Sequence, residues 1–211
     1  MEYIIKQVKS KFLDANCYLI RKGSKYVIVD PCVPVSELKR LGVNEVSFIL
    51  ITHGHVDHIY FVEEVANEYN CVVYFSEKCV EKIFNDQLNL STIFGKGLKI
   101  NKDLRYEIVK DGSFICFEDE KIQCIYTPGH SSCSMCYLLN KDLFTGDTLF
   151  DRSVGRTDLY SGNSLKLIES LKKIVKMNVD FTIYPGHDSI STISEQLKYN
   201  RYLKSENIYI K

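Results

Sequence analysis

The chain has five histidines, and their placement is the first clue to its chemistry. Three fall within six positions, in Thr52-His53-Gly54-His55-Val56-Asp57-His58. The other two end Thr127-Pro128-Gly129-His130 and Pro185-Gly186-His187, so each histidine follows an apolar run and sits in a turn. Loops at strand ends carry functional side chains held by a rigid scaffold. Neutral imidazole is the commonest metal ligand, and carboxylate oxygen is its usual companion at zinc. His53 and His55 are two apart, so an extended segment presents both on one side, and Asp57 continues that alternation. His58 breaks the alternation and is expected to point elsewhere, so that one short loop feeds two adjacent metal positions. Asp147, in Thr145-Gly146-Asp147-Thr148, also ends an apolar run, and its two oxygens suit it to bridging two ions. Read singly, each histidine would be an ordinary polar loop residue. The combination His-x-His-x-Asp-His with two Gly-His turns and a Gly-Asp turn favours a metal centre.

The elements that position these residues alternate between strand and helix. Cys17 to Ile20 and Tyr26 to Val29 read as a hairpin around Gly23. Ser36 to Leu41 reads as a short helix ending at Gly42. Val46 to Ile51 is a continuous apolar run, as in a strand buried on both faces, and it leads into the His53 loop. Ile59 to Tyr69 reads as a helix stopped at Asn70. Cys71 to Phe75 reads as a strand, Ser76 as the cap of a helix to Phe84, and Asn85 to Gly97 as an irregular insertion. Residues 103 to 126 predict antiparallel strands around turns at Asp111-Gly112 and Glu118-Asp119. Met135 to Leu139 and Asp142 to Thr145 predict a hairpin. Asn163 is placed to cap a helix whose apolar stripe is Leu165, Ile168, Leu171, Ile174 and Val175. Phe181 to Tyr184 predicts the strand before His187, and Thr192-x-x-Glu195 a capping box. No linker-like stretch divides the chain, so residues 1–211 are expected to form a single domain. Packed sheets with helices outside are the layer arrangement this pattern suggests.

Composition narrows the function. With 27 basic and 27 acidic residues in 211, the formal net charge is zero, which argues against a nucleic-acid binder. The N-terminal Met1-Glu2-Tyr3-Ile4-Ile5-Lys6 lacks an apolar signal region, and no run has the length of a membrane span. A cytoplasmic protein with no membrane partner is therefore expected. Its eight cysteines then read as reduced thiols, with Cys17, Cys71, Cys116, Cys124 and Cys136 in strand-like stretches.

The motifs together resemble the metallo-β-lactamase fold hydrolases, especially the short single-domain relatives of glyoxalase II (hydroxyacylglutathione hydrolase). The resemblance begins at Asn16-Cys17-Tyr18-Leu19-Ile20 and Val29-Asp30-Pro31 and runs through Thr52 to His58 and Leu88-Asn89-Leu90-Ser91. It continues through Thr127 to His130, Phe144 to Phe150, Gly155-Arg156-Thr157-Asp158 and Tyr184 to His187. It implies an α/β class αββα four-layer sandwich, with two mixed sheets flanked by helices and metals at one edge. It implies that His53, His55 and His130 hold one ion, that Asp57, His58 and His187 hold a second, and that Asp147 bridges them. Two Zn²⁺ are the implied cofactors, with Fe or Mn as alternatives at either position. Such a site, with ions ~3.5–4 Å apart, acidifies a bridging water toward pKa ~7 and polarises a carbonyl. The implied reaction is hydrolysis of a small thioester or ester, with Asp57 also the catalytic residue that orients the nucleophile or takes its proton.

Other residues support this reading. Asp30 is expected to accept the second N–H of a ligand histidine and fix its tautomer, with a turn aspartate before Pro31 as the other reading. Thr52 is a weaker candidate for the same task. Arg156 and Asp158 are expected to pair and shape their loop, the alternative being Arg156 facing an anionic substrate. Cys133-Ser134-Met135-Cys136 lacks the context of a redox or zinc motif, although Cys133, three residues after His130, is a candidate reactive thiol. Tyr60 stands where relatives have a glycine and is expected to narrow the site. By this resemblance the chain, which ends soon after its last predicted helix, is expected to lack the further helical domain that helps full-length glyoxalase II bind glutathione.

A persulfide dioxygenase of the same fold is the main rival, with one iron on His53, His130 and Asp147. A β-lactamase would normally be exported, and its second metal site lacks a ligand matching Asp147. A nuclease would bring basic segments, and a diiron electron-transfer protein a Glu at position 55. A closed, non-catalytic metal module is disfavoured because seven ligands shared by two ions leave open positions. The expected partner is a small-molecule substrate, for a monomer or homodimer.

Overall fold

The computed structural model describes residues 2–95 and 97–204. It resolves into two compact units, one of residues 2–109 with 117–119, the other of residues 110–116 with 120–204. Among the described residues no helix is long and apolar enough to cross a membrane.

The first unit contains β1 (Ile4–Lys9), β2 (Asn16–Lys22), β3 (Lys25–Val29), α1 (Val35–Arg40), β4 (Glu45–Leu50), α2 (Val56–Ile59), α3 (Val62–Tyr69), β5 (Val72–Ser76), α4 (Val80–Ile83) and β6 (Tyr106–Val109). Its six strands are ordered β1-β2-β3-β4-β5-β6. β1, β2 and β3 pair antiparallel, and β3, β4, β5 and β6 pair parallel. A parallel pair needs a crossover connection, and α1, α2 with α3, and α4 supply the three crossovers. The apolar run of β4 is buried at Val46, Phe48, Ile49 and Leu50, as expected of a strand covered on both faces. Its end lies beside that of β3, with Val29 opposite Leu50 and the Asp30 N–H donating to the Leu50 carbonyl at 2.9 Å.

The second unit contains β7 (Phe114–Phe117), which shares Phe117 with the first unit, then β8 (Glu120–Tyr126), β9 (Met135–Leu139), β10 (Asp142–Gly146), the two-residue β11 (Leu149–Phe150) and β12 (Ser153–Val154), α5 (Ser164–Met177), β13 (Thr182–Pro185), β14 (Ser191–Thr192) and α6 (Ile193–Tyr199). The six-stranded sheet is ordered β14-β13-β10-β9-β8-β7, with β10 and β13 parallel. Here α5 is the crossover helix. Asn163 caps it by accepting from the Lys166 N–H at 3.0 Å, and Leu167, Leu171, Ile174 and Val175 pack into a core with Ile125, Leu143 and Ile183. Thr192 and Glu195 complete the capping box of α6.

Several expectations are corrected. Tyr106–Val109 does not join an antiparallel meander but closes the first sheet parallel to β5, so the chain changes sheets at the Asp111-Gly112 turn. Strand propensity was legible there, whereas the pairing partner depended on the preceding crossover. The helix read as Ile59 to Tyr69 is two helices, because the Phe61 N–H donates to the Pro31 carbonyl at 3.1 Å instead of continuing the ladder. Asn70 does end it, in the left-handed conformation. The Ser76 side chain makes no capping hydrogen bond, and a 3₁₀ turn over Glu77–Cys79 precedes the short α4. Leu165 is exposed, and the buried stripe of α5 begins at Leu167. All eight cysteines are free thiols, and Cys116 alone is exposed.

Candidate metal centre

In both units most residues of interest follow the carboxyl ends of a parallel strand pair, where ligands gather in open α/β sheets, and His130 instead follows β8, which pairs antiparallel with β9. In the first unit β3 ends in Asp30 and β4 runs into Thr52 and His53. Asp30 is buried, with φ of +52°, a conformation uncommon outside glycine and often found at functional positions. Its Oδ1 accepts the Thr52 backbone N–H at 2.8 Å. Its Oδ2 accepts the Thr52 hydroxyl at 2.6 Å and lies 2.8 Å from His58 Nδ1. A buried carboxylate in this position accepts a hydrogen bond from the Nδ1–H of His58 and turns Nε2 outward as a metal-ready lone pair. The Thr52 hydroxyl proton is committed to Asp30, so its oxygen is left to accept from His53 Nδ1, 3.1 Å away. One buried carboxylate thus orders two histidines, one directly and one through a hydroxyl.

The extended alternation of the loop stops at His55, because Val56–Ile59 is helical. Asp57 therefore stands on a helical turn rather than continuing the His53–His55 face. His58 does not point away from the other two: its ring centroid is 4.2 Å from that of His53, and His53 lies 4.6 Å from His55. His58 Nε2 is 3.6 Å from Asp57 Oδ2. Gly54 lets α4 lie close against this loop, since a Cβ there would meet Lys82 Cβ at 2.7 Å. Lys82, fully buried on α4, is a neighbour that sequence reading missed, and its residue type alone gave no sign of burial.

In the second unit Asp147 follows β10 and His187 follows β13, and the Gly186 N–H donates to the Gly146 carbonyl at 2.9 Å. Asp147 Oδ2 stands 3.4 Å from His130 Nε2 and 3.7 Å from His187 Nε2. Two donors ~2.0–2.2 Å from one tetrahedral ion stand roughly 3.3–3.6 Å apart, so these spacings and the oxygen–imidazole donor set fit metal binding. The His130 ring is oriented by the Arg156 carbonyl, 2.8 Å from Nδ1. The contribution of Arg156 to this histidine is its backbone, which no residue-type argument would single out. Its guanidinium pairs in a fork with Asp158 at 2.7 and 2.6 Å, as expected, and holds that carboxyl down at about 2. Both side chains are exposed. Cys133 is fully buried, with its sulfur 3.2 Å from Ser131 Oγ, which weighs against a reactive thiol. Burial pushes the Cys136 thiol up to about 11. The Nε2 atoms of His53, His55 and His58 and Oδ1 of Asp147 are buried and make no hydrogen bond among the described residues.

Gly155, which opens the Gly155-Arg156-Thr157-Asp158 segment, is held against the Asp147 backbone. A Cβ at this position would lie 1.8 Å from the Asp147 carbonyl oxygen and 3.0 Å from His130 Cβ. Gly155→Ala is expected to destabilise the second unit by about 1–3 kcal/mol, the range for overpacking, and to displace Asp147 and His130 together. Thermal unfolding and metal content check this, and unchanged values in both would refute it.

Comparison with known proteins agrees with this architecture. The metallo-beta-lactamase superfamily model matches residues 11–187. A probable metallo-hydrolase of Methanocaldococcus jannaschii is 32% identical, over 83% of this chain and 88% of its own. A hydroxyacylglutathione hydrolase of Francisella tularensis subsp. novicida is 30% identical, over 93% and 76%. Among solved structures, the BLEG-1 B3 metallo-beta-lactamase superposes with a TM-score of 0.88 at 28% identity, over 96% of this chain and 100% of its own. TTHA1623 in a di-iron-bound form gives 0.81 at 26%, over 94% and 100%. ETHE1 from Myxococcus xanthus gives 0.74 at 25%, over 94% and 83%. With a family model spanning most of its length and histidine and carboxylate groups of metal-binding type in both units, the chain belongs to the metallo-beta-lactamase superfamily, a metallo-hydrolase superfamily, and has its fold.

Proposed function

We propose that His53, His55, Asp57, His58, His130, Asp147 and His187 form one dinuclear metal centre that hydrolyses a small thioester or ester. His53, His55 and His130 are assigned to one ion, Asp57, His58 and His187 to the other, and Asp147 to both. The observation that carries the reading is the position of Asp147 Oδ2, one carboxylate oxygen at nearly equal distance from His130 Nε2 and His187 Nε2. Bound ions would supply an acidified water and a polarised carbonyl. The protein's own part is to aim the ligands and to manage the proton. Asp30, Thr52 and the Arg156 carbonyl accept hydrogen bonds from the Nδ1–H groups of His58, His53 and His130 and leave each Nε2 with its lone pair for metal. Asp57 Oδ2, beside His58 Nε2 and partly open to solvent, is the acceptor for a proton leaving the nucleophile.

We assign zinc to both positions and place the protein in the cytoplasm, acting on a free small molecule as a monomer or homodimer. The hydroxyacylglutathione hydrolase relative supports a thioester substrate, and the ETHE1 likeness supports a second reading with one iron on His53, His130 and Asp147. Elemental analysis of protein purified without added metal or chelator separates them. The expected result is about two zinc ions per chain, as for a two-metal hydrolytic site, followed by turnover in a panel of thioesters, esters and a β-lactam. One iron per chain would replace this reading with the second, with oxygen consumption as the next assay.

A further inference from the structure

The first unit holds a cavity of about 710 Å³ that the metal centre does not use, within the size range of small-molecule sites. Its floor reaches Cys32, whose backbone N–H donates to the Asp30 carbonyl at 2.7 Å. One wall is Tyr60 and Phe61, which follow directly on the turn that carries Asp57 and His58. The opposite wall is the end of β1 and the loop after it, Lys9 to Phe12. The cavity therefore abuts the metal loop without containing a residue of it.

Its chemistry is two-sided. Phe12 bridges Tyr60 and Phe94, with ring centroids at 5.2 and 5.4 Å, so a short aromatic ladder runs along the mouth. Tyr60 keeps 44% of its surface exposed. The charged side is cationic. Glu37 is the single acid in the lining, and a two-pronged bond at 2.9 and 2.6 Å commits it to Arg40. Lys9 and Lys11, both exposed, are then surplus positive charge at the rim. The chain as a whole is neutral, so this excess is local to the cavity.

We propose that this cavity binds the anionic end of the arm that leaves with the substrate's sulfur or oxygen, Lys9 and Lys11 meeting a phosphate or carboxylate and the Phe12–Tyr60 ladder covering the arm's apolar stem. That the occupant is a substrate arm rests on the hydrolase reading; that the cavity prefers an anion with an apolar stem does not. Position fits the assignment, because Tyr60 stands two residues beyond His58, at the end of the same helical turn. The anion could be the phosphate of a phosphopantetheine-type arm or the carboxylate of a peptide thiol.

The test is calorimetric titration of the metal-loaded protein with pantetheine 4′-phosphate, glutathione and neutral pantetheine. All three carry a thiol, so any contribution from sulfur binding to metal is common to them. At least one anionic thiol is expected to bind about fivefold to tenfold tighter than pantetheine, as two exposed ion pairs allow, and the advantage is expected to shrink with added salt. Which anion shows it identifies the source. Lys9→Gln with Lys11→Gln is expected to abolish the advantage and leave pantetheine unchanged. Tyr60→Ala is expected to weaken all three. Equal affinity for anionic and neutral thiols, or an advantage that survives the double substitution, overturns the proposal. Calorimetry reads binding alone and the substrate panel reads turnover, so the outcomes separate: binding without thioester or ester hydrolysis removes the proposed function and keeps the cavity, and hydrolysis without selective binding does the reverse.

Discussion

Asp147→Ala is expected to empty both metal positions and abolish turnover. The side chain lies at the carboxyl end of β10, nearly buried, with one oxygen 3.4 Å from His130 Nε2 and 3.7 Å from His187 Nε2. If it is shared between two ions, its removal leaves each with neutral imidazole on that side and takes away the negative charge that offsets their repulsion. The loss of activity should exceed the 10–100-fold that follows from removing a residue that only orients a ligand. Elemental analysis of the purified variant reads the metal directly, and circular dichroism confirms that the sheets persist. Asp57→Ala is the contrast. On the proposed division it depletes the ion held with His58 and His187 and spares the other. Unchanged metal content in Asp147→Ala would overturn the shared position, and equal loss of both ions in Asp57→Ala would overturn the division of ligands.

The two kinds of residue in this centre differ in how well a sequence reveals them. Ligand candidates were legible because their chemistry is in the side chain and their spacing is short. His53, His55 and His58 announce themselves within six positions, and Asp147 and His187 stand just beyond the strands β10 and β13. The elements behind them were legible where one segment suffices: the run before Thr52, the Asn163 cap and the Thr192–Glu195 box all form as read. Three things were not legible. The partner of Tyr106–Val109 is set by a crossover, not by its own residues. The break at Phe61 comes from a carbonyl 30 positions away, that of Pro31. The hold on His130 comes from the backbone of Arg156, whereas its side chain is turned to Asp158. Gly155 belongs with these, since what requires it is the Asp147 carbonyl against its Cα. Backbone contributions carry no residue-type signature, and they supply part of the hold on this centre.

Asp30 is where side chain and backbone meet, and its substitution should have the second largest effect. Asp30→Ala removes the acceptor of the Thr52 N–H, the Thr52 hydroxyl and His58 Nδ1 in one step. It also places alanine at a φ of +52°, which a β-carbon disfavours. Stability is expected to fall by at least about 3 kcal/mol, since three buried donors lose their acceptor at about 1–3 kcal/mol apiece. Asp30→Asn is the sharper experiment. Asparagine tolerates the left-handed conformation and keeps the shape, so the loss of stability should be smaller. Its amide, however, must present N–H to one of three groups that all need an acceptor. If it faces His58, the imidazole proton moves to Nε2 and the lone pair meant for metal is lost. If it faces Thr52, the strand-end hydrogen bonds break and His53 loses its orientation. Either way metal affinity is expected to fall about 10–100-fold while the fold is retained. Competition with a chromogenic chelator measures the affinity, and thermal unfolding measures the stability. An Asp30→Asn protein that binds metal as tightly as the parent would show that the carboxylate supports the strand ends and does not set the histidine tautomers.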